Sequence, residues 1–126
     1  MKKPFFLKKV KRIHFTGIKG VGMTALACCA LDLGIKVGGS DVEEIFVTDK
    51  VLKQRKISWK VGFEAGHLKP RPDLVITTGA HGGLTNPEAV AAGKLGVPVL
   101  THAQALGKFM EDKEGNDLMT FAFRSV

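Results

Sequence analysis

Apolar residues along the chain fall into short β-branched runs separated by longer helical stretches, and glycines mark most of the boundaries. Val10 to Thr16 (VKRIHFT) mixes β-branched and aromatic residues ahead of a glycine cluster, the pattern of a strand entering a tight turn. Met23 to Leu33 (MTALACCALDL) is almost wholly apolar and rich in helix formers, with Gly34 where a C-terminal cap belongs, which predicts a buried helix. IKVGG predicts a short strand ending at Ser40 and Asp41, and Thr48 is placed to N-cap a polar helix, TDKVLKQRK. Ile57 to Val61 is a candidate third strand, and DLVITT, Asp73 to Thr78, between Pro72 and Gly79, reads as a buried parallel strand. Asn86, Pro87 and Glu88 open a helix ending near Gly96, VPVLT follows as a strand, and HAQALGKFMED as a further helix. Strands alternating with helices predict an α/β fold, an open, mostly parallel sheet with helices on both faces.

Composition narrows the setting. A chain of 126 residues with 44% hydrophobic and 25% charged residues suits one globular domain, here residues 10–112, with a basic arm at 1–9 and a tail at 113–126. Cys28 and Cys29 are adjacent and no third cysteine exists, which suits a reducing, cytoplasmic location. The apolar stretch Phe5 to Leu7 is too short for a signal peptide or a membrane span, so no membrane partner is expected. A net charge of +7, with six of the first twelve residues Lys or Arg, raises nucleic acid or a polyphosphate as partners. Without a zinc finger, an RNP-like aromatic motif or any tyrosine, a nucleic-acid module is disfavoured. His14, His67, His81 and His102 are far apart in sequence and predict no metal site.

The chemistry concentrates at Gly17-Ile18-Lys19-Gly20-Val21-Gly22, between the first strand and the apolar helix. Glycine there lets a ligand approach the main chain, and the unpaired N–H groups of the helix start favour a phosphate, so a diphosphate fits. The same glycines also serve close strand–helix packing without a ligand. Their spacing is G-x-x-G-x-G, not the dinucleotide fingerprint G-x-G-x-x-G, and no G-x-x-x-x-G-K-[ST] loop for a nucleoside triphosphate occurs. In a Rossmann-like fold Asp41, about twenty residues past the glycines, is positioned to meet a ribose or base, although Ser40 and Asp41 also suit an ordinary turn.

Taken in order, IHFTGIKGVGMTALA, VGGSD, a threonine-led helix, TTGAHGGLTNPE and GVPVLTHAQALGKFM resemble the Mur ligases over residues 10–110. The first of these is similar to the I-H-F-x-G-I-G-G-x-G-M pattern of the branch that joins L-alanine to UDP-N-acetylmuramate, with Lys19 in place of a glycine. The resemblance implies a front domain for UDP-N-acetylmuramic acid. Gly17 opens its loop, the backbone amides of Gly20, Val21, Gly22 and Met23 hold the diphosphate, and Ser40, Asp41 and Thr48 face the uridine. Thr78, Gly79 and His81 would line the same crevice, His81 being equally readable as a neutral loop residue, and Lys19 would either add to the hold on the diphosphate or point to solvent.

In the family, ATP and Mg belong to a central domain and the amino acid to a C-terminal one, so no cofactor and no catalytic residue is expected in this chain. LMTFAFRSV in the tail reads as a strand approaching the absent ATP loop. The chain is thus expected to be a fragment that binds the nucleotide sugar without ligating it. A nicotinamide-dinucleotide-binding domain and the related ligase that attaches a murein tripeptide are the alternatives.

Overall fold

Residue alternation along the strands decides which helix covers which face. The computed structural model describes residues 3–111. Five strands, β1 (Arg12–Thr16), β2 (Lys36–Asp41), β3 (Ser58–Val61), β4 (Leu74–Thr77) and β5 (Val99–Thr101), form one sheet in the order β3-β2-β1-β4-β5. Every neighbouring pair is parallel. Four helices join them: α1 (Val21–Asp32), α2 (Val47–Gln54), α3 (Pro87–Lys94) and α4 (His102–Phe109).

Ile13 and Phe15 of β1 and Leu74 and Ile76 of β4 point to one face, where they meet Met23, Leu26, Ala27 and Ala30 of α1, Leu52 of α2, and Ala105 and Phe109 of α4. Val75 turns to the other face and packs with Ala92 of α3, Val97 and Leu68. Helices therefore cover both faces, and the alternate β1 residues His14 and Thr16 are buried on the α3 side. β1 and β4 are sheet neighbours although two strands intervene in sequence, so the strand order reverses between them and leaves a crevice at their carboxyl ends.

Two expectations change. Of the basic arm expected at 1–9, the described residues 3–9 are tied to the domain: Phe5–Leu7 is a 3₁₀ turn whose Leu7 is wholly buried in the main core. Leu7, with the partly buried Phe6 packed beside it, plugs that core while Phe5 stays exposed, because burying the leucine gains more than leaving it in water. Thr48 is not the cap of α2. The helix starts at Val47, and the Asp49 carboxylate accepts the Phe46 N–H at 3.2 Å. Thr48 instead donates its hydroxyl to the Lys19 carbonyl at 2.5 Å, which satisfies a buried acceptor. Asn86 caps α3 as expected, accepting the Glu88 N–H at 2.9 Å with Pro87 in the first turn. The strand expected in the tail lies outside the described residues. Among the described residues no helix is long and apolar enough to cross a membrane.

Phe15 is fully buried at the centre of β1. Phe15→Ala is expected to lower the unfolding free energy by about 3–5 kcal/mol, read from urea denaturation; a loss below about 1 kcal/mol would contradict this core assignment.

Candidate functional site

The glycine loop begins where β1 ends. Gly17 has a φ of +82° and lies so close to Thr78 that a side chain would collide with it, so glycine is required on two counts. Gly22, in the first turn of α1, leaves room for the His102 ring of α4, so its role is helix packing rather than loop flexibility. Gly17 and Ile18 donate their N–H groups to the Ser40 carbonyl at 2.9 and 3.1 Å, and the Lys19 N–H goes to Asp41 Oδ2 at 2.8 Å. The loop is thereby fastened to the end of β2.

Gly20 N–H is taken by the Gly17 carbonyl at 3.3 Å, and the first helical bond runs from Thr24 N–H to the Gly20 carbonyl at 2.8 Å. The N–H groups of Val21, Gly22 and Met23 have no acceptor among the described residues. They form the positive end of α1, and Gly20 and Val21 are open to solvent. Beside them is a cavity of about 300 Å³ lined by Gly17, Lys19, Gly20, Val21, Asp41, Phe46, Val47, Thr48, Thr78, Ala80 and His81. The arrangement suits an anion at the helix start with an apolar and polar wall leading away from it.

Asp41 is 2% exposed; its Oδ1 accepts the Val42 N–H at 2.7 Å and lies 3.7 Å from His81 Nε2. His81 has a φ of +53° and packs its ring on Phe63 at a centroid separation of 5.1 Å, forming part of the wall. Most of the residues expected at the site thus meet at one cavity. Gly22 and Met23 contribute backbone only, since the Met23 side chain is in the core, and Gly79 is exposed away from the cavity lining.

Two placements depart from the sequence reading. Ser40 points to the opposite face, where its hydroxyl donates to Glu88 Oε1 at 2.5 Å. Lys19 does not point to solvent. It is 4% exposed, its ammonium donating to the Glu44 carbonyl at 2.7 Å and pairing with Asp49 at 3.2 Å. A buried cation needs such partners, and here an acidic side chain and a carbonyl are within its reach.

Sequence reasoning missed the hub at Glu88. Its carboxylate is fully buried and also accepts from Thr16 at 2.8 Å, meets His14 Nε2 at 2.8 Å and His67 Nδ1 at 2.7 Å, and takes the Glu64 N–H at 3.2 Å. The period-two spacing of His14 and Thr16, with a lone acidic residue on the apolar face of α3, is the signal that could have found it. Among the described residues no group of three or more His, Cys, Asp or Glu side chains is placed to hold a metal ion. Burial alone would raise the Glu88 carboxyl, but hydrogen bonds from His14 and Ser40, the charge of His14 and a hydrogen bond from Thr16 outweigh it and bring it down to about 2. Cys29 is an unactivated thiol, pushed up by burial and by Asp32 and Cys28.

The sequence model described as Mur ligase family, catalytic domain, matches residues 12–114. A UDP-N-acetylmuramate–L-alanine ligase of Treponema pallidum is 40% identical over 96 residues, which are 76% of this chain and 20% of that protein. The solved UDP-N-acetylmuramate-alanine ligase of Thermotoga maritima superposes with a TM-score of 0.67 at 36% identity, covering 75% of this chain and 21% of the other. A UDP-N-acetylmuramate:L-alanyl-gamma-D-glutamyl-meso-diaminopimelate ligase of Neisseria meningitides gives 0.65 at 29% identity, covering 78% and 30%. The chain spans about a fifth of the length of the curated relatives it matches.

Because the folded Glu88 carboxyl is depressed, its contribution to stability is complete above its ordinary value of 4.5 and is lost as pH falls from there toward about 2. Urea midpoints measured across that window should fall steeply for the wild type and more shallowly for Glu88→Gln. Equal slopes would contradict the hub. Fold, glycine loop and sequence match agree, and the chain belongs to the Mur ligase family.

Proposed function

We propose that this chain is the UDP-N-acetylmuramate-binding front domain of an ATP-dependent ligase that adds L-alanine during peptidoglycan synthesis. The observation that carries the reading is the set of free N–H groups at Val21, Gly22 and Met23, opening beside the cavity that holds Asp41 and Thr48. The diphosphate would accept from those amides, with the positive end of α1 offsetting its charge. Asp41 and Thr48 would face the uridine, and Thr78 and His81 would close the opposite wall. The names of the curated relatives support L-alanine as the amino acid added. A ligase that attaches a murein tripeptide is a second reading, favoured by the nearly equal superposition on the Neisseria protein.

The reaction itself would be supplied by the rest of such a ligase, where ATP and Mg are bound. This chain has no G-x-x-x-x-G-K-[ST] loop, and none of its residues is assigned a catalytic role. Its part is to hold the sugar nucleotide and direct the muramoyl carboxylate outward from the carboxyl ends of β1 and β4. Cytoplasmic action suits the two free thiols of Cys28 and Cys29.

Calorimetric titration tests the reading. The chain should bind UDP-N-acetylmuramate and UDP in preference to NADH and ATP, and Asp41→Ala should weaken UDP binding about tenfold by loosening the loop and removing a charged acceptor. Preference for NADH, or an unchanged Asp41→Ala, would contradict it. Mixed with ATP, Mg, UDP-N-acetylmuramate and L-alanine, the chain alone should release no phosphate above a buffer control. Release above that control would place ligase chemistry in this domain.

A further inference from the structure

Lys19 is bound to the end of β2, the β2–α2 connection and the first turn of α2 through every polar group it has. Its N–H goes to Asp41, its carbonyl accepts from Thr48, and its ammonium meets Glu44 and Asp49. The ammonium also sits 5.7 Å from the centre of the Phe46 ring and 5.3 Å from that of Trp59. Asp49 completes the strap, since the carboxylate that pairs with the ammonium also accepts the Phe46 N–H.

The segment so held is unusual. Ile45, Phe46 and Val47 are three consecutive apolar residues with exposures of 83, 39 and 90%. Phe46 and Val47 line the cavity beside the glycine loop. Consecutive exposed apolar residues at the lip of a largely apolar cavity mark a surface kept for a ligand. With phosphates at the start of α1 and the carboxylate at the end of β2 on the ribose side, a nucleotide runs from the loop past Asp41 toward Phe46.

We propose that Lys19 is a positioning residue that fixes Phe46 as the wall on which the nucleobase of the bound nucleotide rests. The inference depends on the nucleotide reading above, and adds that the cation in the loop acts on the base end of the site and not on the phosphates. A ring held by a buried cation and a capped helix start presents its face without having to be ordered on binding.

The test compares UDP with inorganic pyrophosphate, which lacks the base, on the wild type, Phe46→Ala and Lys19→Met. Both variants should lose roughly five- to tenfold in affinity for UDP, the scale of one base on one aromatic ring, and keep their affinity for pyrophosphate within about twofold. An equal loss for both ligands in Lys19→Met would overturn the proposal by placing the ammonium on the phosphates. UDP binding unchanged in Phe46→Ala would overturn it as well, and because that ring is partly exposed, the result does not depend on the core. Absence of UDP binding by the wild type would overturn the nucleotide reading itself, and the base wall with it. The strap is read separately, without ligand: the Lys19 ε-methylene protons should be shifted upfield by the Phe46 and Trp59 rings. Random-coil shifts would overturn the strap even where UDP binds.

Discussion

The site depends on the Asp41 carboxylate accepting the N–H of Lys19, the bond that fastens the glycine loop to the end of β2. It works together with the two backbone bonds to Ser40 and the Thr48 hydroxyl on the Lys19 carbonyl to fix the loop's path between β1 and α1. With it, the chain enters α1 with the N–H groups of Val21, Gly22 and Met23 left without acceptors among the described residues, the arrangement that the proposed anion site requires. The same carboxylate is nearly buried, so its remaining accepting capacity is directed toward the cavity.

Ser40 and Asp41 show how a parallel strand divides its labour. Neighbouring side chains on a strand point to opposite faces, and here the aspartate fastens the glycine loop beside the cavity while the serine joins the Glu88 hub under α3. That hub ties β1, β2, the β3–β4 connection and α3 through a single carboxylate. The crevice is thereby backed by a rigid polar network on one face and an apolar core on the other, the support a binding loop needs if it is to be ordered before its ligand arrives.

Local signals made most of the fold legible. The β-branched run before Gly17, the apolar helix after it and the Asn-Pro-Glu start of α3 each declare themselves within a few residues, because propensity, capping and periodicity act over that range. Long-range partners were not legible. The path of Lys19 depends on Asp49 and Phe46, brought to it when β2 pairs with β1, and on Trp59, brought when β3 pairs with β2. His14 and His67, far apart in sequence, meet on the Glu88 carboxylate only once α3 packs on its face of the sheet. Residues 3–9 misled because charge dominates their composition, whereas the single side chain of Leu7 decides where the segment lies.

The central claim is that the start of α1 and the cavity beside Asp41 receive the nucleotide. Amide chemical-shift mapping with UDP tests it most directly, since it reports which backbone N–H groups meet the ligand. The account predicts the largest shifts at Val21, Gly22 and Met23, with smaller ones at Thr48 and His81. Shifts concentrated instead on the other sheet face, around Lys60, His67 and Lys69, where a separate cavity of about 370 Å³ opens, would contradict it.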